Sequence, residues 1–202
     1  MYTLGTMRCP ASFKLQPLTR IPPVEIETPR LKLKAFQPGD GQLLFDLYAS
    51  DPNVCKYMSY KVADKPETSE AYVRFVVDSF AGQHNGVPDF AYTIKLKDSG
   101  EYIGSGGFGP STPDSIVGGY ILGQKFWGQG YATEAWRALL AVAQSDPGVN
   151  RIEANHHPEN IASGKVMQAA GMMCVGIRPK HSVFPNISDE PVDDVLYAWT
   201  RL

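Results

Sequence analysis

The feature that most constrains this chain is an uninterrupted passage from an apolar strand through a glycine turn into a helical segment, over residues 119–135. Gly128 and Gly130 stand one residue apart in the turn, and no proline separates them from the helical segment. The first N–H groups of a helix lack intrahelical partners, and the aligned peptide dipoles leave about half a positive charge there. Glycines let the backbone approach an anion closely. This order of elements predicts a phosphate site, with an ordinary strand-to-helix connection as the alternative.

The amino-acid sequence of this stretch resembles the acetyl-coenzyme-A-binding motif of the GNAT acetyltransferase superfamily. The string from Phe126 to Ala135 is similar to the branch that includes the ribosomal-protein N-terminal acetyltransferases. The superfamily signature begins with Arg or Gln, whereas Lys125 holds that position here and Gln124 stands one residue early. A lysine keeps a cation near the diphosphate, for which backbone N–H groups supply most of the contact. The resemblance covers about residues 24–201.

The resemblance implies an α/β (α+β) domain over residues 24–202. Helices would flank a mixed, mostly antiparallel sheet of about seven strands that is splayed near its middle. Acetyl-CoA would be the cosubstrate, and no metal is expected. The strand before the turn would offer backbone groups to the pantetheine arm, and two asparagines would lie on the far wall of the cleft. The implied coenzyme-binding residues are Tyr120, Ile121, Leu122, Lys125, Phe126, Trp127, Gly128, Gln129, Gly130, Tyr131, Ala132, Asn155, Asn160 and Ser163.

Hydrophobic periodicity predicts the other elements, because a strand alternates every second residue and a helix repeats every three or four. We expect strands at about 27–36, 90–96, 102–108, 116–122, 151–156, 173–180 and 193–200. Helices are expected after Asp40, from Asp51, over 66–83, after the glycine turn, and over 160–172. Asp40 and Asn160 are predicted N-caps, and residues 183–192 are a predicted loop. Glu134, in a helix first turn, is interpreted as structural.

A second glycine string, from Gly104 to Gly109, formally matches the Gly-x-Gly-x-x-Gly dinucleotide fingerprint. That fingerprint requires a helix to open at its end. Pro110 and Pro113 follow instead, and they predict a loop. The glycines are therefore interpreted as bulges or close packing within a sheet, and a nicotinamide dehydrogenase is disfavoured.

Acetyl transfer to an amine needs a held thioester, a deprotonated nitrogen, and donors for the charge that develops on oxygen and sulfur. Ser163 is the predicted general acid for the departing thiolate, and the alternative is a first-turn serine that satisfies a free helix N–H. Val117 stands where many relatives in this branch carry a glutamate, so the general base comes from elsewhere, acts through water or is absent. The candidate bases are Glu153, Asp89, His156 and His157. Ser163 and Glu153 are the two predicted catalytic residues.

Composition narrows the class of partner. In the 202 residues, 43% are hydrophobic and 20% charged, which describes an ordinary globular protein rather than a disordered one. The net charge of −2 favours neither nucleic acid nor an anionic membrane. No apolar run approaches the roughly 20 residues of a membrane span, so a cytoplasmic protein is expected. The three cysteines are scattered without zinc-ligand spacing. Residues 1–23, which contain four prolines, are a predicted N-terminal arm.

Two functions of different classes follow. The first is an N-acetyltransferase, monomeric or homodimeric, that acts on a small-molecule amine or on the α-amine of a peptide N-terminus. The second is a protein of the same fold that binds an acyl coenzyme A as a sensor or without turnover. The second is motivated by Val117, which removes the acidic residue common at that position.

Overall fold

Eight strands form one mixed sheet in the computed structural model, which describes residues 18–84 and 86–201. The strands are β1 Glu25–Glu27, β2 Leu31–Ala35, β3 Phe90–Leu96, β4 Tyr102–Thr112, β5 Ser115–Leu122, β6 Arg151–His156, β7 Met173–Phe184 and β8 Ser188–Thr200. Their order across the sheet is β1-β2-β3-β4-β5-β6-β8-β7. Only the β5–β6 pair is parallel among these described strands. The expected mixed, mostly antiparallel sheet is confirmed, and the short β1 accounts for one strand beyond the expected number.

Helices cover both faces of this sheet. The α-helices are α1 Asp40–Leu44, α2 Pro52–Cys55, α3 Pro66–Phe80, α4 Tyr131–Gln144 and α5 Ile161–Ala169. A π-helical turn, Phe45–Ala49, continues α1, and a 3-10 turn, Gln124–Phe126, precedes α4. No described helix has the length and apolar character needed to cross a membrane.

The two faces of the sheet belong to different hydrophobic clusters. Tyr92 and Leu122 pack with Trp136 of α4, whereas their strand neighbours Ala91 and Ile121 pack with residues of α1 and α3. Successive side chains of a strand point to opposite faces. We therefore call these the α4 face and the α3 face, and each strand residue below is assigned to one of them by this alternation.

Two predicted boundaries are wrong. β4 continues through Pro110 and pairs with β5 as far as Thr112, so only residues 113 and 114 form the turn. The ladder shifts register between Pro110 and Thr112, the kind of irregularity at which a sheet accepts proline. Most of the predicted loop 183–192 belongs to β7 and β8, which leaves residues 185–187 as the turn. Backbone pairing across a hairpin decided both boundaries. The glycines of the second string lie inside β4, as expected.

The predicted N-caps have different outcomes. Asp40 is the first residue of α1 and not its cap; Gly39 precedes the helix, and the Asp40 carboxylate accepts the Gln37 N–H at 2.8 Å. Asn160 caps α5 as predicted, because its side-chain oxygen accepts the N–H of Ser163 at 3.3 Å. Asp40 is not the cap because α1 begins one residue earlier than predicted, directly after Gly39, whose φ is 97°.

The described part of the predicted arm lies on the domain. The backbone N–H and hydroxyl of Thr19 each donate to the Asp146 carboxylate at 2.9 Å. The hydroxyl of Tyr92 donates to the Pro23 carbonyl at 2.9 Å. Residues 18–23 therefore pack on the domain that follows, and the prediction for residues 1–17 lies outside the described residues.

Candidate active site

A cleft opens where β5 and β6 part. These parallel strands pair over three residue pairs, from Ser115 with Arg151 to Val117 with Glu153. Beyond that point β5 continues to Leu122 and β6 to His156 without pairing with each other. β5 stays hydrogen-bonded to β4, and β6 to β8. The backbone edges of β5 and β6 that face the cleft are therefore free to bind an extended molecule.

The glycine turn at the end of this cleft has the geometry that an anion needs. Gly128 and Gly130 have positive φ values of 74° and 79°, which other residues adopt only at a cost. Gly130 is the N-cap of α4, and no side chain caps that helix end. An uncapped helix N-terminus carries free N–H groups and a positive dipole end. This turn therefore provides a backbone site for a diphosphate.

Arg30 and Glu134 hold the turn in place. The Arg30 guanidinium contacts the Glu134 carboxylate at 2.6 Å, donates to the Gln129 carbonyl at 3.1 Å and lies 4.5 Å from the centre of the Tyr131 ring. The hydroxyl of Thr28 donates to Glu134 at 2.6 Å. Burial opposes ionisation of Glu134, but the hydrogen bonds from Thr28 and Arg30 outweigh it and lower its pKa. Glu134 thus supports the turn, in line with its interpretation as structural.

Some of the predicted coenzyme ligands are already engaged within the protein. The indole N–H of Trp127 donates to the Leu122 carbonyl at 2.8 Å, so this carbonyl has a partner within the chain. The amine of Lys125 contacts Glu101 at 2.7 Å. Phe126 is buried in the cluster of the α4 face, whereas Trp127 is 48% exposed beside the turn. Phe126 thus anchors the turn to the core of the α4 face, whereas Trp127 is half exposed to solvent.

Tyr120 and Ser163 bridge the two walls of the cleft. The Tyr120 hydroxyl, from β5, donates to the Ser163 carbonyl at 2.9 Å and lies 3.1 Å from the Ser163 hydroxyl on α5. Burial raises the pKa of Tyr120 well above its ordinary range, so the phenol stays protonated. Since Asn160 already accepts the Ser163 N–H, the Ser163 hydroxyl contacts Tyr120 and not a free N–H of the helix.

The side chain of Asn155 points to the α3 face. Its amide donates to the Asp194 carboxylate at 2.8 Å and to the Ser182 hydroxyl at 3.2 Å. Its strand neighbour Ala154 packs on the α4 face. Asn155 borders the cleft, but its amide N–H groups are used by β7 and β8. Contact of Asn155 or Asn160 with the coenzyme stays a prediction.

Val117 and Glu153 are direct partners in the last residue pair before the strands part. Neighbouring strands lie about 4.8 Å apart, so a carboxylate stands one strand away from the place where the branch carries a glutamate. The Glu153 carboxylate accepts from the Arg151 guanidinium at 2.6 Å. Nothing within 4 Å would meet a Cβ at Gly119, two residues along β5 on the same face. The α3 face therefore offers open space beside Val117 and Glu153.

The three other candidate bases are poorly placed. Asp89 is buried and accepts the Tyr72 hydroxyl at 2.8 Å, and burial raises the pKa of this carboxyl. His156 is buried on the α4 face, with Nδ1 2.7 Å from the carbonyl of His157. The ring of His157 stacks on Tyr57 with centroids 5.2 Å apart. Of the four predicted bases, Glu153 is the one that is paired directly with Val117 beside the open part of the α3 face.

Sequence reasoning missed a polar cluster on the wall formed by β6, β8 and β7. Asp194 is 0% exposed and accepts from the guanidinium of Arg178 at 2.8 and 2.6 Å. Ser182 and Asn155 also donate to this carboxylate. Burial by itself would raise the pKa of Asp194. The hydrogen bonds from Arg178 and Ser182 and the charge of Arg178 outweigh this effect, so the pKa of Asp194 is lowered. No sequence signal marks the cluster, because its members come from three strands and their spacing follows no motif.

The tip of the β7–β8 hairpin is hydrogen-bonded to the segment that contains α2. The Asn186 amide donates to the carbonyls of Cys55 at 2.7 Å and Tyr60 at 2.8 Å, and its oxygen accepts the N–H of Val62 at 3.1 Å. Because these partners lie in α2 and the segment after it, the hairpin tip is tied to the opposite side of the domain. The polar cluster at Asp194 is thereby held in one place relative to the cleft.

Comparison with known proteins agrees with this geometry. The family model "Acetyltransferase (GNAT) domain" matches residues 30–173. The uncharacterized N-acetyltransferase p20 of Bacillus licheniformis is 31% identical over 153 residues, which cover 74% of this chain and 83% of the relative. The chain belongs to the GNAT acetyltransferase family, whose members are enzymes that use acetyl-CoA.

Two further proteins carry the resemblance to the ribosomal-protein branch. The ribosomal protein uS5 alanine N-acetyltransferase of Escherichia coli is 26% identical over 156 residues, or 76% of this chain and 80% of the relative. Among solved structures, RimL, the ribosomal L7/L12 alpha-N-protein acetyltransferase in complex with coenzyme A, has a TM-score of 0.72. It is 19% identical, and the match covers 90% of this chain and 98% of RimL. At this identity RimL shows the fold.

Proposed function

We propose that this protein transfers the acetyl group of acetyl-CoA to a primary amine, of a small molecule or of a protein N-terminus, by direct attack in a ternary complex. The observation that carries the proposal is the uncapped N-terminus of α4 behind two left-handed glycines, at the end of a cleft between unpaired strand edges. Because a diphosphate binds at such a turn and an extended arm along such an edge, this arrangement fits coenzyme A. The family and its named N-acetyltransferases support the same donor.

The coenzyme would be held mainly by backbone groups. Its diphosphate would lie against Gly128, Gln129 and Gly130 and the first turn of α4. Its pantetheine arm would run along Tyr120 and Ile121, since the Leu122 carbonyl is engaged by Trp127. The exposed face of the Trp127 ring would pack against the coenzyme beside the turn.

The reaction would proceed without a covalent enzyme intermediate. The amine nitrogen forms a bond to the thioester carbon, the carbon–sulfur bond breaks, and the thiolate takes a proton from the Ser163 hydroxyl. The Tyr120 hydroxyl lies 3.1 Å from that of Ser163 and orients it, and it would stabilise charge left there by turning its one proton from the Ser163 carbonyl to the Ser163 hydroxyl oxygen. Ser163 recovers its proton from the nitrogen, so the products are the amide, free coenzyme A and one proton from the initial ammonium.

Glu153 would act on the acceptor side. Its carboxylate lies beside the open space over Gly119, where a positively charged ammonium group gains from a nearby negative charge. Arg151 is hydrogen-bonded to one carboxylate oxygen of Glu153 at 2.6 Å, and we assign the other oxygen to positioning the amine. The names of two relatives suggest the acceptor class. A protein N-terminus that begins with alanine or serine is the first candidate.

The test uses the purified full-length chain. Thermal-shift titration with acetyl-CoA, coenzyme A, NADH and ATP reports binding, since a ligand at about 100 times Kd adds about 2.7 kcal/mol to the folded state. Free thiol release is then measured with Ala- and Ser-initiated peptides and with small amines. Stabilisation by acetyl-CoA with amine-dependent thiol release supports the proposal. Stabilisation without thiol release supports the acyl-CoA sensor that Val117 suggests, and the absence of any shift removes the coenzyme site.

A further inference from the structure

A bulge in β7 holds the backbone in an unusual conformation next to the polar cluster. Arg178 pairs with Asp194 and Ser182 pairs with Val192, so β7 uses more residues than β8 across this interval. Within the bulge, Lys180 has φ 47° and is the non-glycine residue with positive φ among those that the structure describes. Such conformations persist only where the surroundings impose them, and bulges beside active sites redirect side chains.

The bulge is held by β8. The Lys180 N–H donates to the Asp193 carboxylate at 2.9 Å, which ties the middle of the bulge to the partner strand. The residue that follows Lys180, His181, is thereby turned towards the cluster. Nδ1 of His181 lies 3.3 Å from Oδ2 of Asp194 and 3.4 Å from the Ser182 hydroxyl. The His181 side chain is 35% exposed, whereas Asp194 is 0% exposed. The bulge thus sets a solvent-accessible imidazole against a buried carboxylate.

We expect this arrangement to favour one tautomer of the imidazole. A carboxylate facing Nδ1 favours the proton on that nitrogen, and Nε2 then carries the lone pair. The same relationship orients the imidazole base in unrelated hydrolases and transferases. The Asp194 carboxylate is well suited to this task, because the bonds from Arg178 and Ser182 keep it ionised and fixed.

The pair lies beside the cleft. Oδ2 of Asp194 also accepts from the amide of Asn155, which lies on β6 just beyond the last residue pair with β5. Asn155 and Asp194 share the α3 face with Val117, Glu153 and the open space over Gly119. A histidine base on this wall therefore lies on the α3 face, where the proposed function places the acceptor amine.

We propose that His181, oriented by Asp194, is the general base that removes the proton from the acceptor ammonium, directly or through one water. The inference rests on the proposed acetyl transfer and assigns the proton acceptor that Val117 does not supply. Nε2 of His181 takes one proton from R–NH₃⁺, the resulting R–NH₂ attacks the thioester carbon, and the imidazolium returns that proton to solvent. The second nitrogen proton leaves with the thiol through Ser163, so the protons balance.

The charged groups around His181 set the expected pH dependence. Asp194 and Asp193 face the bulge from β8, and Arg178 and Lys180 lie on β7 itself. Asn155 reaches the cluster from β6 as a neutral amide. Because the reaction needs a proton to be removed from the acceptor ammonium, activity of the wild type is expected to rise with pH. The charge of Arg178 offsets that of Asp194, so these two side chains together are neutral. The Asp194 carboxylate of this ion pair orients the His181 ring.

The first test measures the tautomer and needs no acceptor. Long-range ¹H–¹⁵N spectra of the full-length protein with labelled histidine identify which ring nitrogen of His181 is protonated, with His181→Gln providing the assignment. The expected result for the wild type is a proton on Nδ1 at pH 8. In Asp194→Asn, Nδ1 should no longer be the preferred site of the proton. A proton on Nε2 in the wild-type protein overturns the orientation by Asp194 and with it the proposal.

The second test measures kcat/KM against pH with acetyl-CoA and a primary-amine acceptor. His181→Gln is expected to lower kcat at pH 7 by about 10²-fold or more, with acetyl-CoA binding unchanged. The rising limb that remains should follow only the ionisation of the acceptor amine, at about pH 8 for an α-amine. Added imidazole is expected to restore part of the rate of His181→Ala. His84→Gln is the control, since His84 lies in the loop after α3 and contacts only the nearby Gly86 carbonyl, at 2.9 Å, among its described partners.

The outcomes separate the two proposals. A His181→Gln enzyme with the rate and pH profile of the wild type overturns the role of His181 and leaves acetyl transfer standing. A wild-type protein that binds acetyl-CoA but acetylates no amine overturns the proposed function and the base together. His181→Gln removes a partly exposed side chain, so a melting temperature equal to the wild type shows that a lost rate is not a lost fold.

Discussion

The hydroxyl of Tyr120 donates to the main-chain carbonyl of Ser163 at 2.9 Å, across a cleft whose two walls make no ladder bonds with each other at that level. One side chain thus links β5 to the first turn of α5. The Ser163 hydroxyl lies 3.1 Å from the same phenol. This relationship fixes the distance between the wall that would hold the thioester and the hydroxyl that would protonate its sulfur.

Replacement of Ser163 by alanine tests this relationship. We expect kcat to fall by about 10²-fold or more, because the thiolate loses its proton donor, while acetyl-CoA affinity changes little. Tyr120→Phe removes only the orienting hydroxyl, and a decrease of about fivefold, the equivalent of one hydrogen bond, is expected. Single-turnover kinetics separate chemistry from product release. A Ser163→Ala enzyme with wild-type kcat would show that the thiolate leaves without this acid.

Two glycines allow the phosphate site to be tested with a matched control. Gly128 and Gly100 have φ values of 74° and 70°, and a Cβ at either would meet nothing within 4 Å. Alanine at either position is therefore expected to cost the same backbone strain, about 1–2 kcal/mol of unfolding free energy. Only Gly128→Ala should weaken coenzyme A binding directly, since Gly100 lies in the β3–β4 turn, which contacts the site through the Glu101–Lys125 ion pair and not through the backbone of the glycine turn. Chemical denaturation and calorimetric titration measure the two effects, and equal loss of affinity in both variants would contradict the assignment.

The ion pair of Arg178 with Asp194 is expected to be important for stability. Asp194 is 0% exposed and Arg178 is 25% exposed, so Arg178→Ala leaves a buried carboxylate without its charge partner. We expect a loss of about 3 kcal/mol in unfolding free energy. Lys61→Ala removes an ion pair with Asp189 on the exposed surface, and we expect no measurable change in stability. Urea unfolding at pH 7 compares the two variants, and a similar midpoint for both would refute the expected cost.

The pKa of Asp194 has a predictable consequence for acid stability. Its folded-state pKa is lowered, so its contribution is present above the unfolded value, about 3.9, and is lost as the pH falls through the folded value. The difference in stability between the wild type and Asp194→Asn should therefore shrink as the pH is lowered below about 4. Melting temperatures between pH 3 and 7 measure it. A difference that stays constant over this range would show that ionisation of Asp194 does not contribute.

Asp89 is expected to behave in the opposite way. Because burial raises its pKa, its favourable protonated form is lost as the pH rises, and the ionised carboxyl costs stability at neutral pH. Asp89→Asn keeps an oxygen that accepts the Tyr72 hydroxyl but carries no charge. We expect this variant to melt at a higher temperature than the wild type at pH 8, with kcat unchanged. A loss of turnover with intact folding would return Asp89 to the candidates for the general base.

Much of the fold was accessible to sequence reasoning because its signals are local. The helix over 66–80 and the strands around it follow apolar spacing, and Asn160 caps α5 through a contact three residues away. The turn at Gly128 and Gly130 was equally readable, since its conformation depends on glycines that are adjacent in the chain. The hairpin pairing of β4 with β5 overrode the proline signal at Pro110.

The sequence by itself determined the class of enzyme, because the strand, glycine turn and helix that would bind the coenzyme form one continuous segment. Only the tertiary structure decided which groups face the acceptor. Asn155, Arg178 and Asp194 meet through the pairing of three strands, and the bulge that turns His181 towards Asp194 arises from a mismatch in register between β7 and β8. Contacts of this kind depend on how distant segments align, and local residue preferences carry no information about that alignment.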